Sequence, residues 1–212
     1  MLEETEVQVF SRLRKVMTAD GFELLWEKKQ FRKTTETGFQ NVSISISQYT
    51  DDFVMEVSLG TRSNLVESLV GQFLNYSPSF LADSHTAIAS MGKLLGRPYE
   101  RFVVKTPQAF EAACTRIETF MHEQGFTFLT HYTNLHNLHE AYNTHPTQNC
   151  LLAYNTTHRC FRGITIARLI ESPQWAALAT NYQKVLQAYG VPTSVKESFH
   201  KLIRYLEYLH PN

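Results

Sequence analysis

Between residues 41 and 60 the chain reads NVSISISQYTDDFVMEVSLG, and apolar and polar positions alternate almost without interruption. Val42, Ile44 and Ile46 alternate with Ser43, Ser45 and Ser47. After Thr50-Asp51-Asp52, Phe53, Met55, Val57 and Leu59 alternate with Val54, Glu56 and Ser58. Successive side chains of a strand point to opposite faces. The pattern therefore predicts an antiparallel hairpin with one apolar face and one mostly polar, serine-lined face. Its register puts Phe53, Met55 and Val57 in the core and Glu56 and Ser58 outside.

Elsewhere the apolar positions recur at three-four spacing, the signature of one helix face. Val9, Phe10, Leu13, Val16 and Met17 predict a helix over 4–20, stopped by Gly21. Residues 22–33 mix Leu24, Trp26 and Phe31 with Lys28, Lys29, Arg32 and Lys33, which reads as a strand with a charged, protected edge. A helix over 62–74 would share a face among Leu65, Leu69, Val70 and Phe73. Ser77-Pro78 and Gly96-Arg97-Pro98 punctuate the next stretch, with room for a short helix between them. Tyr99 to Lys105 reads as a strand. Thr106-Pro107 opens a helix with a stripe of Phe110, Ala113, Cys114, Ile117, Phe120 and Met121, ending at Gly125.

The C-terminal part reads as helical. Phe161, Ile164, Ile166, Ala167 and Ile170 fit a helix over 156–170. Ser172-Pro173 starts another, with Trp175, Leu178, Ala179, Tyr182, Val185, Leu186 and Tyr189 on its stripe and Gly190 at its end. Ser194-Val195-Lys196-Glu197 has the form of a capping box, opening a helix that buries Phe199, Leu202, Ile203, Leu206 and Leu209. Strands early and helices late indicate an α+β fold: an antiparallel β-sheet packed by helices on one face, followed by a helical C-terminal subdomain. The expected organisation is a single domain over 1–212, with a helix/sheet part at 1–128 and a mainly helical part at 129–212. Met17-x-x-x-Gly21-Phe22 is echoed by Met121-x-x-x-Gly125-Phe126. Glycine followed by an apolar residue is common helix-stop chemistry, so convergence is favoured over a duplicated unit.

Composition narrows the function classes. Hydrophobic content of 43% and aromatic content of 12% suit a packed globule. Lys+Arg and Asp+Glu are both 20, so no global field draws the chain to nucleic acid or an anionic membrane. The basic cluster Lys28, Lys29, Arg32 and Lys33, with Trp26 and Phe31, could stack on and neutralise a nucleic acid, but a solvated sheet edge explains it as well. The acidic start, Met1 to Glu6, lacks the basic and apolar regions of a secretory signal. No stretch approaches a membrane span. Three cysteines, Cys114, Cys150 and Cys160, cannot all pair within the chain. Together these features predict reduced thiols and a cytoplasmic location.

The composition shifts at residues 131–157, where His131, His136, His139 and His145 join Tyr132, Tyr142, Tyr154 and many Asn and Thr. Its one formally charged residue is Glu140. Such a segment is partly buried or presents an uncharged polar surface. It is the place to expect a ligand or partner, with His136, His139, Tyr142, His158 and Arg162 the expected contributors. A metal set of His136, His139 and Glu140, or of His145, Cys150, His158 and Cys160, matches no recognised spacing, and no metal or cofactor is assigned. No nucleophile elbow and no glycine-rich phosphate loop occurs. Arg159 and Arg162 are spaced to share a helix face. They could hold an anion, though such arginines more often join internal ion pairs.

The opening helix, Gly21-Phe22, Phe31-Arg32, the strand ending at Ser47-Gln48, and Phe53 to Leu59-Gly60 resemble the uncharacterised bacterial domain-of-unknown-function family 4304 over the first 60 residues. The resemblance implies a small α+β bacterial protein without an assigned activity and supplies no catalytic residues. The leading expectation is a non-enzymatic binding or protein-interaction protein, immunity-like or accessory, with a protein partner or small ligand. The alternative is a hydrolase or metal-dependent enzyme using the histidine-rich segment 131–160.

Overall fold

The computed structural model describes residues 2–97 and 100–209. Helix α1 (Leu2–Ala19) carries Glu3 and Glu4 in its first turn, where carboxylates oppose the helix dipole favourably. Gly21, at φ +84°, turns the chain out of it. The segment read as one strand is two: β1 (Glu23–Leu25) and β2 (Gln30–Thr35) pair antiparallel around a 3₁₀ turn at Trp26–Lys28. Lys29, left-handed at φ 51°, closes that turn, lies over the Trp26 ring and pairs with Glu6 at 2.8 Å. Arg32 stacks on Phe39, and Lys33 donates to the Asp20 carbonyl at 2.8 Å. Three of the four clustered cations thus serve local structure.

The hairpin forms as its alternation requires, and it is longer than the motif: β3 spans Gly38–Gln48 and β4 spans Phe53–Ser63. Val42, Ile44, Met55, Val57 and Leu59 are buried, Phe53 packs on the same core, and Ser45 is exposed. Val57→Ala should cost about 1–3 kcal/mol, from lost burial and a residual cavity, whereas Ser58→Ala should be nearly neutral. Equal urea midpoints for the two variants would show the register to be wrong.

Helix α2 (Asn64–Leu74) follows directly, capped by Ser63. Its buried face is Val66, Glu67, Leu69 and Val70, and Leu65, expected on that face, is 54% exposed. The stretch expected to hold one short helix holds α3 (Pro78–Asp83), β5 (Ala87–Ser90) and α4 (Met91–Leu94). Strand β6 covers Phe102–Val104 only; Tyr99, where the expected strand began, lies outside the described residues. Among the described residues six strands form one antiparallel sheet in the order β1-β2-β3-β4-β5, with β6 pairing the start of β4 through Phe53↔Val104.

Helix α5 (Pro107–Phe120) is capped by Thr106, whose hydroxyl accepts from Ala109 N. It does not stop at Gly125. Met121–Gly125 widens into a π-helical turn and the chain continues as α6 (Phe126–His131). Gly125 is not left-handed as Gly21 is; it packs closely on the Met121 side chain, whose sulfur would lie 2.7 Å from an added Cβ. The echo of Gly21 is therefore not a repeated structure. The last helices are α7 (Leu135–Asn143), α8 (Thr156–Leu169), α9 (Trp175–Ala188) and α10 (Thr193–Tyr208). Helix α9 ends at Gly190, φ +63°. Helix α10 begins ahead of the expected capping box: Ser194 lies inside it, Pro192 stands at the N-cap, and no side chain caps it.

Two compact units result. One comprises the residues up to Thr61 with Ala89–His131, and the other Arg62–Ile88 with the residues from Tyr132 onward. In the first, α1 and α5 cover the apolar sheet face, and Phe10, Leu13, Phe31, Val42, Met55 and Ile117 meet in its core. Arg12 of α1 bonds Glu111 at 2.9 Å and also Glu118 of α5. In the second, α8 is the axis. Every residue from Arg159 to Ala167 is buried, against α2, α7, α9 and α10. Among the described residues no helix is long and apolar enough to cross a membrane.

Candidate functional site

Glu67 is the one charged residue between Ser63 and Ala82, and it sits one turn into α2, between Val66 and Val70 on the buried face. No acidic residue occurs in 141–170, yet that stretch carries Arg159, Arg162 and Arg168. The fold resolves both imbalances at once. Arg162 Nε donates to Glu67 Oε1 at 2.8 Å and Nη2 to Oε2 at 2.9 Å, a bidentate pair with both side chains buried. Burial alone would push the Glu67 carboxyl up. The Arg162 charge, with hydrogen bonds from Arg162, Ser84 and Thr86, outweighs it and holds the group below the usual carboxylate range. Arg62 fastens the same corner through the Leu81 carbonyl (2.7 Å) and the Ser84 carbonyl (2.9 Å).

Three of the five residues expected from the sequence gather at this pair. Arg162 is half of it. The Tyr142 hydroxyl, fully buried, donates to the Thr86 carbonyl, and burial raises its pKa. His158 is half-buried, edge-on to Tyr76 (5.4 Å) and Phe80 (6.3 Å). Burial first, then the Arg162 charge, pushes it down to about 4. The other two stand apart: His136 is exposed, and His139 is half-buried in a separate network. In the unfolded chain His158 binds its proton near its ordinary value of 6.5, while the folded chain resists until about 4. Stability should therefore fall as pH drops through that window. His158→Gln should flatten that part of a stability–pH curve; an unchanged slope would exclude His158 as its source.

His139 contacts Ser172, with Nε2 3.5 Å from the hydroxyl, in an arrangement superficially like a serine hydrolase. The proton positions argue otherwise. Asn143 Nδ2 donates to the Gly163 carbonyl at 3.0 Å, which only accepts, and so the amide orientation is fixed. That same Nδ2 lies 2.8 Å from His139 Nδ1, which must then accept. Nε2 therefore carries the proton and faces Ser172 as a donor, the wrong tautomer for a base toward that hydroxyl.

Other groups of 131–157 also serve local structure. Asn134 caps α7 through His136 N, and Arg159 donates to the carbonyls of Tyr142 and His145 at 2.8 Å each and to that of Gln148. A guanidinium thus closes the end of α7, where basic groups are favoured. Cys114, Cys150 and Cys160 are all free. Burial pushes Cys114 up to about 11 and Cys160 up to about 12. Thiol titration of the unreduced, denatured chain should find three groups, and in the folded chain the half-buried Cys150 should react first. Among the described residues no group of three or more His, Cys, Asp or Glu side chains could hold a metal ion.

An open cleft of about 470 Å³ lies in the first unit. Three distant segments build it: Gln8 from α1, Gln48 to Phe53 through the hairpin turn into β4, and Val104 to Phe110 from β6 into the start of α5. The turn is braced by Tyr49 N to the Asp52 carbonyl at 2.8 Å and by the Gln48 amide, which donates to the Tyr49 and Asp52 carbonyls. Lys105 pairs with Asp52 at 3.5 Å. The sequence pattern marked Thr50 to Asp52 only as a turn, and no spacing signal links it to Gln8 or Phe110. Comparison with models of known families, with curated proteins and with solved structures returned no match to this chain.

Proposed function

We propose that this chain is a non-enzymatic binding protein, of the small immunity-like or accessory kind found in bacteria, that works by holding a protein partner. The faint likeness of its first 60 residues to an uncharacterised bacterial family belongs to the same reading. One observation carries the proposal. The Glu67–Arg162 pair is buried and bonded within itself, whereas the open cleft combines amides, hydroxyls and aromatic rings with Asp51 and the paired Asp52 and Lys105. Among the described residues lining that cleft there is neither histidine nor cysteine. A bidentate buried pair positions helices, and an open concavity with an apolar floor and polar walls is suited to recognition.

The hydrolase reading would have to use His139 with Ser172, and the tautomer set by Asn143 opposes it. Gln8→Trp, at an exposed cleft position, offers the test, with circular dichroism confirming the fold. A protein should co-purify with the wild-type chain and be lost from the variant, and the complex should re-form from purified components. Turnover of nitrophenyl esters or phosphates that disappears in Ser172→Ala or His139→Ala would overturn the proposal.

A further inference from the structure

The cleft beside the hairpin turn has a distinctive charge. Its floor is apolar, with Phe53 and Phe110 half-buried and Val104 4% exposed. Its rim is acidic: Asp51 is exposed, and Asp52 faces Lys105, the one basic residue in the lining. At Gln8 the cleft adjoins a second depression of about 540 Å³ lined by Glu3, Glu4 and Val7. Val7 is 47% exposed there. Of the carboxylates that border the two depressions, Asp52 pairs with Lys105 and Glu4 is engaged in an interaction of its own, while Glu3 and Asp51 are exposed, on a chain whose net charge is zero. Two cations of α1 and the β1–β2 turn are engaged away from the cleft: Arg12 with Glu111 and Glu118, and Lys29 with Glu6.

We infer that the cleft receives a basic segment of a partner protein, in which arginine or lysine alternates with large apolar residues. This rests on the binding-protein reading and names the partner's chemistry. An apolar side chain of the segment fills the space over Phe53 and Phe110, and removing that surface from water supplies affinity. Its flanking cation meets Asp51 and Glu3, which steer the encounter and reject acidic competitors. The Gln8 and Gln48 amides and the Thr50 hydroxyl line the walls, where a peptide backbone needs partners.

The probe is a fluorescein-labelled octapeptide of alternating leucine and arginine, compared by anisotropy with leucine–glutamate and serine–arginine versions. The leucine–arginine peptide should bind. Its affinity should fall about fivefold in Glu3→Gln/Asp51→Asn, as expected for exposed ion pairs, and fall further with added salt. Gln8→Trp should abolish binding. Equal binding of the leucine–glutamate peptide, or undiminished affinity in the double variant, overturns the inference. So would concentration-dependent self-association removed by Gln8→Trp, which would give the cleft to a second copy. The two readings fail separately: a natural partner lost from Gln8→Trp but retained by Glu3→Gln/Asp51→Asn keeps the binding function and rejects the charge rule.

Discussion

Gly163→Ala is expected to destabilise the helical unit by about 3–5 kcal/mol, although alanine is the better helix former by about 1 kcal/mol. The reason is the approach of three helices at this residue. A Cβ on Gly163 would collide with the Tyr182 hydroxyl and lie 2.8 Å from both Asn143 Oδ1 and Tyr182 Cζ. Those atoms cannot simply move. Tyr182 Oη bonds Asn143 Oδ1 at 2.6 Å and the Tyr142 carbonyl at 3.0 Å, and Asn143 Nδ2 holds the Gly163 carbonyl itself. An added methyl group therefore both overpacks the joint and strands buried polar atoms. Urea unfolding measures the loss. Adding Tyr182→Phe should recover part of it, because one colliding atom is gone; strict additivity of the two changes would show that the hydroxyl is not the obstacle.

Breaking the Glu67–Arg162 pair from one side is expected to cost a similar amount, about 3–5 kcal/mol for Glu67→Leu or Arg162→Met alone, because each leaves an uncompensated buried charge. The double variant should regain most of that loss, since two apolar side chains need no partner. If it is no more stable than either single variant, the pair contributes more than mutual neutralisation. Acid should act on the same element. The carboxyl of Glu67 is held below its ordinary range in the folded chain, so its contribution is present above the unfolded carboxylate pKa. It is lost as pH falls through the depressed folded value.

The α+β class was legible because the apolar repeats are local. Val9, Phe10, Leu13 and Met17 in α1, and Leu178, Tyr182 and Leu186 in α9, are buried as their spacing requires. What escaped depended on partners far along the chain. Leu65 fits an apolar stripe better than Glu67 does, and only an arginine 95 residues away reverses their places. The lone acid in 63–82 and the acid-free arginines of α8 were the available signal. The histidine-rich segment was legible as unusual, but its composition could not separate Tyr142, buried against the Thr86 carbonyl, and His158, packed on Tyr76 and Phe80 within the field of Arg162, from His136, which faces solvent. The cleft, assembled from three distant segments, left no periodic trace.

The π-helical turn has a consequence for insertions and deletions. Phe126 N donates to the Met121 carbonyl, five residues back, so this turn holds one residue more than an α-turn. The surplus lies among His122, Glu123 and Gln124, all exposed. A chain lacking any one of them would run from α5 into α6 as an uninterrupted α-helix, with Leu129 still directed to the core. A one-residue deletion at this point is expected to leave the set of buried side chains unchanged.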